Sequence, residues 1–238
     1  MENDNLIAWQ RLRIWDIAEL SALLPRIAKV SSWLHNQGWA EANAGNLSFR
    51  IGKYVRKHFQ NIGVKANFSE AYLVSRTGSR YRDMADNPAE GLLIVFTNNE
   101  EEFYLPESAK PTSEWKCHRL LHEADVQGLY PCILHSHPTE IIALSHTQIY
   151  GDEALLNRHL SVLLPELPLY LPKGIATSPY AKPGSKVLAD LSNNCIADKQ
   201  ALIWQGHGLV CRAASIEDAL DLAEIINKGA KLHFLLHK

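Results

Sequence analysis

Pro131-Cys132-Ile133-Leu134-His135-Ser136-His137-Pro138 is the stretch on which the fold of this chain turns. Gly128 in front and Pro138 behind bound a short apolar run, the pattern of a buried strand. Side chains alternate along a strand, so His135 and His137 project from one face and Ser136 from the other. Two imidazoles on one stiff face are half of a divalent transition-metal site. The competing reading has one histidine exposed and the other packed, and two further features weigh against it. His207 stands between glycines in Gln205-Gly206-His207-Gly208, directly after the apolar run Ala201 to Trp204, and Glu114 begins an expected helix upstream.

Outward from this strand, helical and strand patterns alternate along the chain. Apolar residues at helical spacing run from Trp15 to Leu34, with Gly38 as a stop. The small-residue loop Glu41-Ala42-Asn43-Ala44-Gly45-Asn46 feeds a half-buried strand, Leu47 to Ile51. The segment from Gly52 to Glu70 is basic and irregular and reads as a surface excursion. Tyr72-Leu73-Val74 reads as a strand entering the donor-rich turn Ser75 to Arg80. Leu92 to Phe96 and Glu102 to Leu105 read as hairpin partners around Asn98-Asn99. Pro111-Thr112-Ser113-Glu114 opens a helix with hydroxyl residues where an N-cap is wanted.

Beyond the paired histidines, Glu140 to Gln148 and Glu153 to Leu164 read as helices, and Leu167 to Leu171 as a strand closed by Pro172-Lys173-Gly174. Lys186 to Ile196 is expected to be helical, with short strands at Ala201 to Trp204 and Leu209 to Arg212. Ser215 opens a last helix, with Asp218 placed as in a capping box. No Pro-, Gly- or Ser-rich linker divides the chain. The expectation is therefore one α/β domain over residues 1–238, a sheet covered by helices on both faces and not purely parallel.

Composition narrows the function classes. In 238 residues, 46% hydrophobic and 21% charged are ordinary proportions for a globular protein. A formal net charge of −2 gives no footing for nucleic acid or an anionic membrane, so positive charge for an anionic ligand must be local. Cys117, Cys132, Cys195 and Cys211 form no C-x-x-C pair, which suits reduced thiols in the cytoplasm. The acidic start, Met1-Glu2-Asn3-Asp4, lacks the marks of a signal peptide, and no apolar run approaches the roughly 20 residues of a membrane span.

Three histidines on zinc leave a fourth position open, the mark of a catalytic rather than a sealed site. His207 in a tight turn has an alternative reading as an ordinary turn histidine, and Glu114 one as a helix-end carboxylate favoured by the dipole. The other histidines (His35, His58, His118, His122, His146, His159, His233, His237) read as solvated or packed. Thr112 and Ser113 at a helix start, together with the turns Asn43-Ala44-Gly45-Asn46 and Thr77-Gly78, can present donors to an anion.

The motifs Gly38 to Asn46, Thr77-Gly78, Pro111 to Glu114, His135-Ser136-His137 and Gly206-His207-Gly208 come in an order that resembles the class II aldolase/adducin family. The likeness runs from about Ser32 to the C-terminus. It implies a three-layer α/β/α fold with a central mixed, largely antiparallel sheet. It implies one Zn2+ per chain on His135, His137 and His207, with Glu114 as catalytic acid/base. Asn43, Gly45, Asn46, Thr77, Gly78, Thr112 and Ser113 would hold a substrate phosphate.

By the same resemblance Glu166 is a second catalytic glutamate, sent into a neighbouring subunit's site in a cyclic homotetramer. The implied reaction is reversible cleavage of a phosphorylated ketose to dihydroxyacetone phosphate and an aldehyde. Epimerases, dehydratases and decarboxylases of sugar phosphates share the fold. An adducin-type binding module and a zinc hydrolase are the readings from other classes; retention of all three histidines with Glu114 opposes the first, and the phosphate turns oppose the second. Ala42 and Ala44 depart from the arginine and glycine that the resemblance implies at those positions. Arg76, Arg80 and Arg82 add local positive charge near the expected phosphate turn.

Overall fold

The computed structural model describes residues 13–65, 67–98 and 101–236. Among these, one sheet holds eight strands: β1 (Asn46–Arg50), β2 (Glu70–Ser75), β3 (Leu92–Asn98), β4 (Glu101–Leu105), β5 (Cys132–Ser136), β6 (Ile175–Ser178), β7 (Ala201–Trp204) and β8 (Gly208–Ala213). Their order is β4-β3-β2-β1-β5-β8-β7-β6. Every neighbouring pair is antiparallel except β6 and β7, so the sheet is mixed and largely antiparallel. The paired-histidine strand, β5, lies between β1 and β8 in the middle of it.

Strand alternation sorts the side chains onto the two faces of the sheet, one carrying the larger core and the other two smaller clusters. Leu47, Phe49, Leu73, Ile94, Cys132, Leu134, Ile203, Leu209 and Cys211 face the larger one, packed under helices Leu23–Asn36, Gly52–Asn61, Glu153–Leu163 and Ile216–Leu236. Ile133, Leu202, Trp204 and Val210 face the other side, beneath helices Trp115–Ala124 and Lys186–Ile196. The layers are therefore helix, sheet, helix. His135 shares its face with Ile133, the face that carries only these two long helices. The functional side chains collect where that cover leaves a gap.

Several sequence expectations change. The Trp15–Leu34 pattern is broken into a 3-10 turn at Ile14–Asp16, a single turn at Ala18–Ser21 and the helix Leu23–Asn36. Gly52–Asn61 is a helix, not an irregular excursion; Val55 and Phe59, four apart, are fully buried while Lys53, Lys57 and the other polar residues face outward. Its basic residues mask a narrow apolar stripe. Leu167–Tyr170 is one helical turn instead of a strand, because Pro168 suits a first helical turn and Leu167 and Leu171, four apart, are the buried pair. The strand of that region is Ile175–Ser178, short and poor in large apolar residues, which runs parallel to β7.

The helix expected from Glu140 to Gln148 ends at Leu144, followed by a 3-10 turn, Gln148–Gly151. The hairpin of β3 and β4 forms as expected, although Asn99 lies outside the described residues, as do the first four residues and His237. At Ser215 the hydroxyl accepts from Asp218 N–H at 3.1 Å and donates to the Asp218 carboxylate at 2.6 Å. Among the described residues no helix is long and apolar enough to cross a membrane.

Two histidines of helix Trp115–Ala124 are packed against the sheet. His118 Nδ1 and His122 Nε2 each lie 2.8 Å from Ser48 Oγ on β1. Burial pushes His118 from 6.5 down to about 3. Burial, then the neighbouring His118 and Arg50, hold His122 well below its usual range. Both are neutral when folded, whereas unfolded chains take up protons below about pH 6.5. Stability is therefore full above that pH and falls as the pH drops toward 3, by up to ~1.4 kcal/mol per pH unit for each histidine. Denaturant titrations at successively lower pH should show this slope, and His118→Gln should make it shallower. An equal slope in that variant would assign the acid sensitivity elsewhere.

Candidate metal centre and anion turns

The strand register brings the site together. On β1, Asn46 pairs directly with His135 of β5, and His135 pairs with Val210 of β8. His137 follows the end of β5, its N–H donating to Trp39 O at 2.8 Å. His207 sits in the tight turn between β7 and β8, its N–H donating to Trp204 O at 3.0 Å. One ring nitrogen from each of His135, His137 and His207 falls within 4.8 Å of the others.

Backbone close approach makes this possible. A Cβ at Gly208 would stand 2.5 Å from Ser136 O and 2.9 Å from the His137 ring. Gly45, with φ +77°, passes so near β5 that a Cβ would meet His135 O at 2.7 Å and the Tyr81 ring at 2.8 Å.

The imidazoles fit a divalent metal. His135 Nδ1 donates to Leu209 O at 3.0 Å, which leaves Nε2 as the lone-pair nitrogen. His137 Nδ1 bonds the Glu41 carboxylate at 3.0 Å, which likewise turns Nε2 inward. Outer partners of this kind fix the orientation of a metal-binding histidine. The two Nε2 atoms are 3.1 Å apart. Tetrahedral ligands about 2.0–2.1 Å from zinc stand roughly 3.3 Å from one another, close to that spacing.

Burial pushes His207 down to about 4, with His137 adding to the shift. Burial, then His137 and His207, hold His135 well below its usual range. His135 and His207 are thus neutral, as ligands must be. His207 also stacks on Trp204, 4.9 Å between centroids at 25°, and its buried Nδ1 has no hydrogen-bond partner among the described residues.

Glu114 occupies the N-cap position of helix Trp115–Ala124, one residue before the first turn, and its carboxylate makes no capping bond. Capping therefore does not explain it. Instead Oε2 accepts from Asn46 Nδ2 at 2.9 Å and from the hydroxyls of Thr112 and Ser113 at 3.1 Å each. Oε1 has no partner among the described residues. Glu114 is 8% exposed, aimed into the same hollow as the imidazoles.

That hollow, about 360 Å³, has on its wall Asn43, Gly45, Asn46, Thr77, Gly78, Thr112, Ser113, Glu114, His135, His137 and His207. Eleven of the twelve residues singled out from sequence thus share one cavity. Glu166 does not; it is exposed before the turn Leu167–Tyr170 and lines none of this wall. Sequence reading did not single out Glu41 or Trp204. Each acts through contact with a histidine distant in sequence or in the next strand, and no local spacing reveals such a contact.

The model of the Class II Aldolase and Adducin N-terminal domain matches residues 25–234. The chain is 26% identical over 224 residues to a rhamnulose-1-phosphate aldolase of Bacteroides thetaiotaomicron, covering 87% of this chain and 83% of that protein. It is 28% identical over 232 residues to a rhamnulose-1-phosphate aldolase of Listeria welshimeri, covering 88% and 82%. The crystal structure of a sugar-phosphate aldolase from Thermotoga maritima superposes with a TM-score of 0.76 at 26% identity, covering 92% of this chain and 96% of that one. The chain belongs to the class II aldolase and adducin N-terminal domain family, and within it to the lyases.

Proposed function

We propose that the protein is a zinc-dependent aldolase that reversibly cleaves a ketose 1-phosphate, rhamnulose 1-phosphate or a close analogue, to dihydroxyacetone phosphate and an aldehyde such as lactaldehyde. The observation that carries this reading is the sharing of one cavity by three imidazoles, a carboxylate with one free oxygen, and the turns at 43–46, 76–79 and 112–113. One Zn2+ per chain, held by His135, His137 and His207, would supply a Lewis acid for the ketone and adjacent hydroxyl oxygens.

Glu114 is the acid/base. Its Oε2 is fixed by three donors, so its free Oε1 takes and returns the proton at the carbon that becomes nucleophilic. The turns bearing Asn43, Gly45, Asn46, Thr77, Gly78, Thr112 and Ser113 form the phosphate end, where remote binding energy positions the reacting carbons. A ketose without its phosphate should then be a far poorer substrate than rhamnulose 1-phosphate in a cleavage assay. Equal turnover of the two would remove the phosphate end from the proposal.

The working form in this reading is a single-domain chain in a cytoplasmic cyclic tetramer, in which Glu166 serves the aldehyde side of a neighbour's site. Glu166 is exposed and flanked by exposed Val162, Leu169 and Tyr170, an apolar surround suited to a subunit contact. A head-to-tail ring repeats one heterologous contact, so every site is completed. Reassembling Glu166→Ala with Glu114→Ala should restore part of the activity, because some interfaces pair an intact Glu114 site with an intact Glu166 loop. No recovery despite verified subunit exchange would refute the shared site.

A further inference from the structure

We propose that Arg76 is the charge-bearing residue of the phosphate end and sets the preference for a dianionic substrate, an inference that rests on the sugar-phosphate reading above. The hydroxyls on the turns at 76–79 and 112–113 have their protons committed to protein acceptors. Thr77 Oγ1 donates to Pro111 O at 2.5 Å and Ser79 Oγ to Arg76 O at 2.8 Å. Thr112 and Ser113 both donate to Glu114. The Thr77 N–H is likewise taken, by Lys110 O at 2.8 Å. These groups shape the wall, but an arriving phosphate is an acceptor and needs donors that are still free.

Arg76 has them. Among the described residues it is the one Lys or Arg on a wall that also carries the carboxylates of Glu41 and Glu114. Its Nε donates to Leu92 O at 2.7 Å, which fixes the guanidinium plane. Its backbone is tied on both sides, by N–H to Gly91 O at 2.8 Å and by a bridge to Pro111. Among the described residues no carboxylate pairs with it and its Nη groups have no protein acceptor.

Arg76 also lines a second hollow of about 280 Å³ on the far side of the turn 76–79, shared with Arg80, Asp83 and Glu90. Of the acids there, Asp83 pairs with Arg82 at 3.6 Å, and among the described residues no ion pair reaches Arg76. A fixed guanidinium fork with free Nη edges matches two phosphate oxygens, which a lysine point charge does not.

The test compares wild type, Arg76→Gln and Arg76→Lys, with inorganic phosphate as competitive inhibitor and rhamnulose with and without its phosphate as substrates. In Arg76→Gln the KM for the phosphorylated ketose and the Ki for phosphate should rise together by roughly 10- to 100-fold, the range for a lost charge-assisted bond. The KM for the free ketose should move by less than about threefold, and kcat and bound metal should change far less than KM. Arg76→Lys should fall between, and carries the test alone if the glutamine variant does not fold.

A Ki for phosphate within about twofold of wild type in both variants would overturn the assignment. A wild type that is insensitive to phosphate and turns over both ketoses alike would instead overturn the sugar-phosphate reading, and this inference with it.

Discussion

His137→Ala is expected to lose bound metal and activity together. The side chain closes the histidine cluster from just beyond the end of β5, with its Nε2 3.1 Å from that of His135. It belongs to none of the apolar clusters, so its removal leaves the sheet packing intact. Two histidines hold a divalent ion far less firmly than three. Loss of the Lewis acid removes several kcal/mol of transition-state stabilisation, and about 4 kcal/mol corresponds to roughly 10³ in rate. Metal analysis should fall from about one ion per chain to near none, with kcat/KM down by at least ~10³. A variant that keeps its metal would show that these three histidines are not the ligand set.

Glu114→Gln is the second large effect, and it should separate proton transfer from metal binding. The amide is close to isosteric, and its oxygen can still accept from Asn46, Thr112 and Ser113, as Oε2 does. What it loses is the ability to take a proton. General acid–base catalysis contributes about 10²–10⁴, so kcat should drop by that factor while the metal stays. Exchange of deuterium from solvent into dihydroxyacetone phosphate, with no aldehyde present, isolates the proton step. It should vanish in the variant. Exchange at the wild-type rate would assign the base elsewhere and leave Glu114 as a residue that orients Asn46.

Much of the site was legible in the chain because it rests on local pattern. Alternation put His135 and His137 on one face, and the antiparallel register then brought Asn46 beside them. The glycines flanking His207 marked a backbone under close approach, and a Cβ at Gly208 would indeed collide with Ser136 O.

What escaped depended on partners far along the chain. Glu41 meets His137 across 96 residues, and nothing in its loop announces that bond. Helix Gly52–Asn61 hid its two buried residues among basic ones, so composition outweighed periodicity. Leu167 to Leu171 is too short a run to tell a strand from a helical turn by its apolar residues alone. The true strand, Ile175–Ser178, is specified by its parallel partner β7 more than by its own residues. The sequence pattern at 77, 112 and 113 points to an anion cradle, but only the hydrogen bonds disclose that these hydroxyl protons go to protein acceptors.

The most direct test of the central claim is release of dihydroxyacetone phosphate by the purified protein, assayed metal-loaded and after chelation, from rhamnulose, fuculose and ribulose phosphates. The metal-loaded protein should cleave at least one of these ketose phosphates, lose that activity with the chelator, and regain it when one divalent ion per chain is restored. A fully loaded protein that releases no dihydroxyacetone phosphate from any of them, or one whose cleavage persists when its metal is gone, would contradict the account.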